Sequence, residues 1–283
     1  MTRIGLTFLA LAAPLATQAQ SGFDCLIEPS QVVEVRSPVD GLIGNIYVKR
    51  GDSIRRGQTL LELQSGAERA AVEGARYRAT MDGQIASAKN RVQYATAKLA
   101  RLAELQAGNF ASAQARDEAD AERRLAESEL LAATESRELA KIDLRRAQEQ
   151  LALRTMYAPF NGVVLDRMLN PGDLAESGSG RKPALKIAQI DPLKVDIVVP
   201  AAGFSAAKVG AKVTVVPKGL SGKYAATVTM VDKVIDAASG TFVMRVDLPN
   251  PTGAIPGGVR CNAEVDGMPA GLTLRPMAPK SGL

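Results

Sequence analysis

Ser37-Pro38-Val39-Asp40-Gly41, followed by Arg50-Gly51-Asp52, recurs as Ala158-Pro159-Phe160-Asn161-Gly162, followed by Pro171-Gly172-Asp173. Every matched position is shifted by the same 121 residues, from Ser37 to Ala158 and from Asp52 to Asp173. In the first copy Val39, Leu42, Ile43, Ile46 and Val48 read as strand, and Leu60-Leu61-Glu62-Leu63 closes the half by alternation. The second copy runs from Tyr157 to about Ile187 and carries the loop Glu176-Ser177-Gly178-Ser179-Gly180. Gly41, Gly51, Gly162 and Gly172 are the expected structural turns. Gly41 and Gly162 are expected in matching turns that need special backbone angles. Two half-folds so far apart mean that the chain leaves a small β fold, travels, and returns to close it.

Between the copies the period changes. Ala71, Met81, Ile85, Ala88, Val92, Ala95, Leu99 and Leu102 fall on the alternating three-four spacing of a coiled-coil seam. Gly108-Asn109 breaks the helix. Ala126, Leu130, Ala133, Ala140, Leu144, Ala147 and Leu151 then keep the spacing, with Arg137 intruding at one seam position. Each arm has about 40 residues, hence a length of roughly 60 Å. The charged residues between seam positions, such as Asp117, Glu118 and Asp120, read as a solvated face rather than an acid/base pair.

After the second copy come alternating segments at Leu193–Val199, Lys212–Val216, Tyr224–Val234, Thr241–Leu248 and Val259–Val265, separated by Gly and Pro. Short strands at such spacing predict a small β-barrel. Residues 24–35 supply one or two more strands, and Phe204 to Val209 a short helix across one end. The tail from Gly267 reads as disordered.

Composition fits this plan. Of 283 residues 46% are hydrophobic, much of it alanine, aromatics are only 4%, and tryptophan is absent. That favours thin, elongated packing over one large core. The net charge of +5 is spread among nearly equal acids and bases, which is no nucleic-acid footprint.

The N-terminus reads as an export signal. Arg3 is a short positive segment, Ile4 to Leu15 an apolar run too short to span a membrane, and Thr17-Gln18-Ala19 a cleavage site. The expected location is the periplasm. Gly22-Phe23-Asp24 before Cys25 argues against lipid attachment there. Two cysteines in an exported chain predict one disulfide, Cys25–Cys261, tying the chain ends together; two buried free thiols are the alternative.

The chain has no histidine, which removes the commonest general base and metal ligand. No catalytic, cofactor-binding or metal residues are expected. Lipoyl and biotinyl carriers share the half-repeats but present a lysine on the tight turn joining them. Here the helical stretch takes that place, so a swinging arm is not expected. The eight methionines are scattered, as packing would scatter them.

These features resemble the periplasmic adaptors, or HlyD-like membrane fusion proteins, of bacterial efflux and export machines. The matches are Pro38-Val39-Asp40-Gly41 with Gly51-Asp52, Pro159-Phe160-Asn161-Gly162 with Gly172-Asp173, the α-hairpin between them and the barrel after them. They cover roughly residues 24–266. The implied fold is α+β and elongated: a split lipoyl-like β domain (34–63 plus 156–188), a long antiparallel coiled-coil hairpin (64–155) and a small β-barrel (24–33 plus 189–266). With about 17 residues after Asp266, the family's fourth, membrane-proximal domain is expected to be missing. That argues against docking onto a resistance-nodulation-division pump and leaves open an ABC-type transporter, a second adaptor subunit or another inner-membrane partner. Adaptors of this family often carry Arg, then Leu four residues on, then Ser seven further, at the hairpin tip. Arg101, Leu105 and Ser112 fit that spacing. The resemblance implies a tip that meets a TolC-like outer-membrane channel, lipoyl and barrel domains that meet an inner-membrane transporter, and a hexameric ring of copies. A structural coiled-coil spacer, or an accessory envelope subunit without channel contact, is the alternative reading.

Overall fold

The computed structural model describes residues 22–178 and 180–269. The expected signal peptide (1–19) lies outside the described residues, as does the expected disordered tail beyond residue 269; at the start of that tail, expected from Gly267, Met268 instead packs against the barrel core and donates its N–H to the Val265 carbonyl. The chain divides into two compact units: Val33–Ile187, and the residues that flank it on both sides. Strands β1 (Phe23–Val35) and β8 (Leu185–Pro200) carry the chain from one unit to the other and back.

In the unit Val33–Ile187, the first copy of the repeat forms β2 (Gly41–Ile46), β3 (Ser53–Ile54) and β4 (Thr59–Leu63). The helices α1 (Gly66–Thr80), α2 (Gly83–Ala107) and α3 (Ala113–Ala152) follow. The second copy forms β5 (Thr155–Tyr157), β6 (Gly162–Arg167) and β7 (Leu174–Ala175). Each copy completes the other. β2 pairs with β7 through Gly41 opposite Ala175, and β3 pairs with β6 through Ile54 opposite Gly162. The Gly51 N–H donates to the Val164 carbonyl at 2.9 Å, and the Gly172 N–H to the Ile43 carbonyl at 2.9 Å. Asp52 Oδ2 accepts the Lys49 N–H at 2.7 Å, and Asp173 Oδ2 accepts the Asn170 N–H at 2.8 Å. Ile43, Val48 and Ile54 are buried with their counterparts Val164, Leu169 and Ala175 in one core.

The four glycines divide into two kinds. Gly51 and Gly172 have φ of 90° and 92°, a left-handed region that a side chain resists. Gly41 and Gly162 do not have positive φ. Each is the first residue of a strand that follows a bend, which corrects the expectation of special backbone angles there. Gly41 answers to space instead: a Cβ on it would lie 2.6 Å from Arg154 Nη1 and 3.2 Å from Leu63 Cδ1.

The helical region also departs from expectation. The first arm is not one helix. Met81, with ψ of 120°, ends α1, and α2 starts at Gly83. The buried residues of α1 are Val72, Ala75 and Ala79, while Ala71 and Met81 are exposed. The seam resumes at Ile85, out of phase with a heptad counted from Ala79, so the break resets the register. Two causes meet there. Gly83 is a poor helix former, about 1 kcal/mol worse than alanine. Asp82 turns its carboxylate away from the helix end to meet Arg137 of α3 at 2.8 Å. On α3 the covered positions run Ala119, Arg123, Ala126, Leu130, Ala133, Arg137, Ala140, Leu144, Ala147 and Leu151, an unbroken heptad pattern.

Both α1 and α2 pack on α3. Ion pairs give the direction: Asp82 meets Arg137, Arg91 meets Glu129 and Lys98 meets Glu122. Each step forward on one helix is a step back on the other, so α2 and α3 run antiparallel. At the root, Arg154 donates to Glu68 at 2.6 Å.

In the other unit β1, β12 (Val259–Val265), β9 (Lys212–Pro217), β10 (Tyr224–Val231), β11 (Thr241–Leu248) and β8 hydrogen-bond in that order, and β1 also pairs with β8. The order closes on itself as a β-barrel. Alternation fills it: Leu193, Val195, Ile197 and Val199 from β8 meet Phe242, Met244, Val246 and Leu248 from β11. A six-residue 3-10 turn (Ala201–Ala206), earlier than the expected helix at 204–209, puts Phe204 edge-on to Phe242 at 5.3 Å. Cys25 lies directly opposite Cys261 across β1 and β12, and the two form the disulfide. The buried Asn250 is fully used: its amide donates to the carbonyls of Ile190 and Ile255, and its oxygen accepts the Ile255 N–H.

Candidate functional site

The turn between α2 and α3 is the candidate site. The α2 helix ends in a paired set of reversed hydrogen bonds: the Phe110 N–H donates to the Leu105 carbonyl at 2.8 Å, and the Asn109 N–H to the Gln106 carbonyl at 3.0 Å. That geometry needs a left-handed residue after the cap. Asn109 supplies it with φ of 60°, although Gly108 stands next to it. Gly108 serves another end. A Cβ there would lie 2.9 Å from Phe110 Cδ2, so the ring of Phe110 lies over a bare backbone. On the far side Ser112 caps α3: its Oγ accepts the Ala115 N–H at 3.1 Å.

The structure therefore places the three expected tip residues around one turn, in unequal states. Arg101 is exposed on α2, beyond Lys98–Glu122, the interhelical ion pair nearest the tip among the described residues. Leu105 is 46% exposed. Ser112 has its oxygen engaged as a helix cap, which leaves its O–H free to donate. Phe110, 84% exposed, was not singled out from the sequence. It is the most exposed large apolar side chain among the described residues. Its signal was available: an aromatic directly after a helix-stopping Gly-Asn, in a chain where aromatics are 4%.

This arrangement has the chemistry of a contact surface. Arg101 offers a planar set of donors for carbonyl or carboxylate oxygens. Leu105 and Phe110 offer apolar area that a partner could cover. Shallow clefts lie along the α1 and α2 contact with α3, lined by such residues as Ala70, Gly74, Ser87, Ala132 and Ser136, and another lies beside β2, β4 and the start of α1, at Asn45, Glu62 and Arg69. No group of residues able to hold a metal ion occurs among the described residues. No helix among them is long and apolar enough to cross a membrane.

Comparison with known proteins follows the fold. No family model matches the chain. It is 23% identical over 249 residues to multidrug export protein AcrE of Escherichia coli K12, covering 83% of this chain and 61% of that one. The chain thus spans less than two thirds of that relative. Among solved structures, MacA from Actinobacillus actinomycetemcomitans superposes with a TM-score of 0.72 at 20% identity, covering 86% of this chain and 77% of that one. The membrane fusion protein Spr0693 from Streptococcus pneumoniae R6 gives 0.60 at 20% identity, covering 86% and 97%. These structures share the fold. The chain's relatives carry the names of multidrug export and efflux proteins and of an export membrane fusion protein, as the split repeat led one to expect.

Proposed function

We propose that this chain is a periplasmic adaptor subunit of an export complex. Its helical hairpin would meet an outer-membrane channel at the tip, its β domains an inner-membrane transporter, and its copies would assemble as a ring. It would be held at the inner membrane through its partner. The observation that carries this reading is the tip itself. A locked turn holds Leu105 and Phe110 out in solvent beside Arg101, an arrangement that stability alone does not require. Relatives named for export supply the context.

In-cell cross-linking from position 105, with products identified by mass spectrometry, tests the reading. A product containing an outer-membrane channel protein is expected. Self-cross-links alone, from folded and abundant protein, would favour the spacer reading. Arg101→Asp is expected to leave folding intact and abolish export, and normal export by that variant would sink the tip assignment.

A further inference from the structure

Away from the tip, the helices expose more apolar surface than two antiparallel helices need. Tyr77, Met81 and Tyr94 are exposed on the first arm, at 70%, 52% and 60%. Leu125, Leu131, Leu139 and Ile142 are exposed on α3, at 63%, 60%, 64% and 56%. None of these belongs to the seam. Leucines there need an explanation on a helix whose other exposed positions are rich in Glu, Arg and Asp.

The interhelical ion pairs give a ruler for height. Asp82 is level with Arg137, Arg91 with Glu129 and Lys98 with Glu122. Tyr94 lies between Arg91 and Lys98, and Leu125 between their partners Glu129 and Glu122. Met81 adjoins Asp82, and Leu139 lies just beyond Arg137. Tyr77 precedes Asp82 by as many residues as Ile142 follows Arg137. Thus each exposed large apolar residue of the first arm has one at the same height on α3. The fourth, Leu131, is level with Lys89, whose aliphatic stem can cover an apolar neighbour.

A rotation about an axis parallel to the helices leaves every residue at its own height. Under such a rotation, the α3 face of one copy meets the first-arm face of the next at equal levels. A two-fold axis across the helices would invert the heights and lose the match. We infer that the outer face of α3, at Leu125, Leu139 and Ile142, docks against Tyr94, Met81 and Tyr77 of a second copy in a head-to-tail contact. Head-to-tail contacts of this kind repeat around a ring. The inference deepens the proposed ring and rests on that reading. It names the surface and commits to another copy of this chain as its occupant.

The test uses two full-length variants made in the same cells, Tyr94→Cys with one tag and Leu125→Cys with another. The native cysteines are already joined, and neither variant can form a 94–125 bond within itself. Mild oxidation is expected to give a disulfide-linked heterodimer whose peptides join positions 94 and 125. Tyr94→Cys mixed with Ile142→Cys, which are mismatched in height, is expected to give several-fold less. No heterodimer from the matched pair, or equal yield from the mismatched pair, would overturn the inference. So would capture of position 94 by a different protein. The position 105 cross-link is read in parallel. A channel product without the 94–125 bond rejects this surface and keeps the bridging role, whereas the bond without a channel product keeps the surface and rejects bridging.

Discussion

Arg154 stands over Gly41. It donates to the Asp40 carbonyl at 2.9 Å with one nitrogen and to Glu68 at 2.6 Å with the other. Glu68 lies in the first turn of α1, and Arg154 just past the end of α3. One side chain therefore ties both roots of the helical region to the start of β2. Both partners are only 21–22% exposed. Arg154→Ala is expected to cost about 1–3 kcal/mol in denaturant unfolding, since hydrogen bonds to charged groups are among the stronger ones. Gly41→Ala should displace the same guanidinium. The double variant should then lose little more than the worse single one, and additive losses would show that Gly41 and Arg154 act apart.

Gly51 and Gly172 offer a cleaner comparison. Neither has an atom within 4 Å of where a Cβ would sit, so only the backbone conformation resists a side chain. Alanine at either site is expected to cost about 1–2 kcal/mol. The two losses should be alike, because each glycine makes the equivalent hydrogen bond to the opposite copy. Unequal losses, measured by urea unfolding, would contradict that equivalence.

Arg137 occupies a seam position, and its Nε is buried without a partner. Its ion pair is with Asp82, whose side chain is 68% exposed. A screened pair compensates poorly for a guanidinium that is two-thirds covered and has one N–H buried without an acceptor. Arg137→Leu is expected to stabilise the helical region by about 1–2 kcal/mol, read as a higher midpoint in helical circular dichroism. A lower midpoint would mean that Asp82–Arg137 holds the break between α1 and α2 together.

The Cys25–Cys261 bond joins residues 236 apart in sequence, on neighbouring strands of the barrel. Reduction, or serine at both positions, is expected to lower barrel stability by about 2–5 kcal/mol. An unchanged melting temperature on reduction would show that strand pairing alone fixes the two ends.

What the sequence made legible follows from where it was regular. The α3 seam is readable because Ala126 through Leu151 keep one heptad phase, and Arg137 stands out against it. The first arm misled because alanine is uninformative. With alanines at 70, 71, 75 and 79, a seam through Ala71 looks as good as one through Ala75, and only packing against Ala147 and Leu151 decides. The glycine pairs show a second limit. A shared motif shows that Gly41 and Gly162 are equivalent but not why glycine is there. At Gly41 the reason is Arg154, which is remote in sequence. At the tip, Leu105 follows from the spacing after Arg101, whereas Phe110 is marked only by its place after Gly108-Asn109, and the turn geometry adds why its ring lies over Gly108.

The interlocked copies have a consequence for size. The β domain requires only that its two halves come back together, and it is indifferent to how much chain lies between them. Closing a longer excursion is entropically cheap, about 0.6 kcal/mol for each doubling. The helical pair is therefore an adjustable strut. One heptad added to each arm, in phase, would extend it by about 10 Å and leave the β domain as it is. The gap that such a strut can span is thus set by counting heptads, separately from the fold that anchors it.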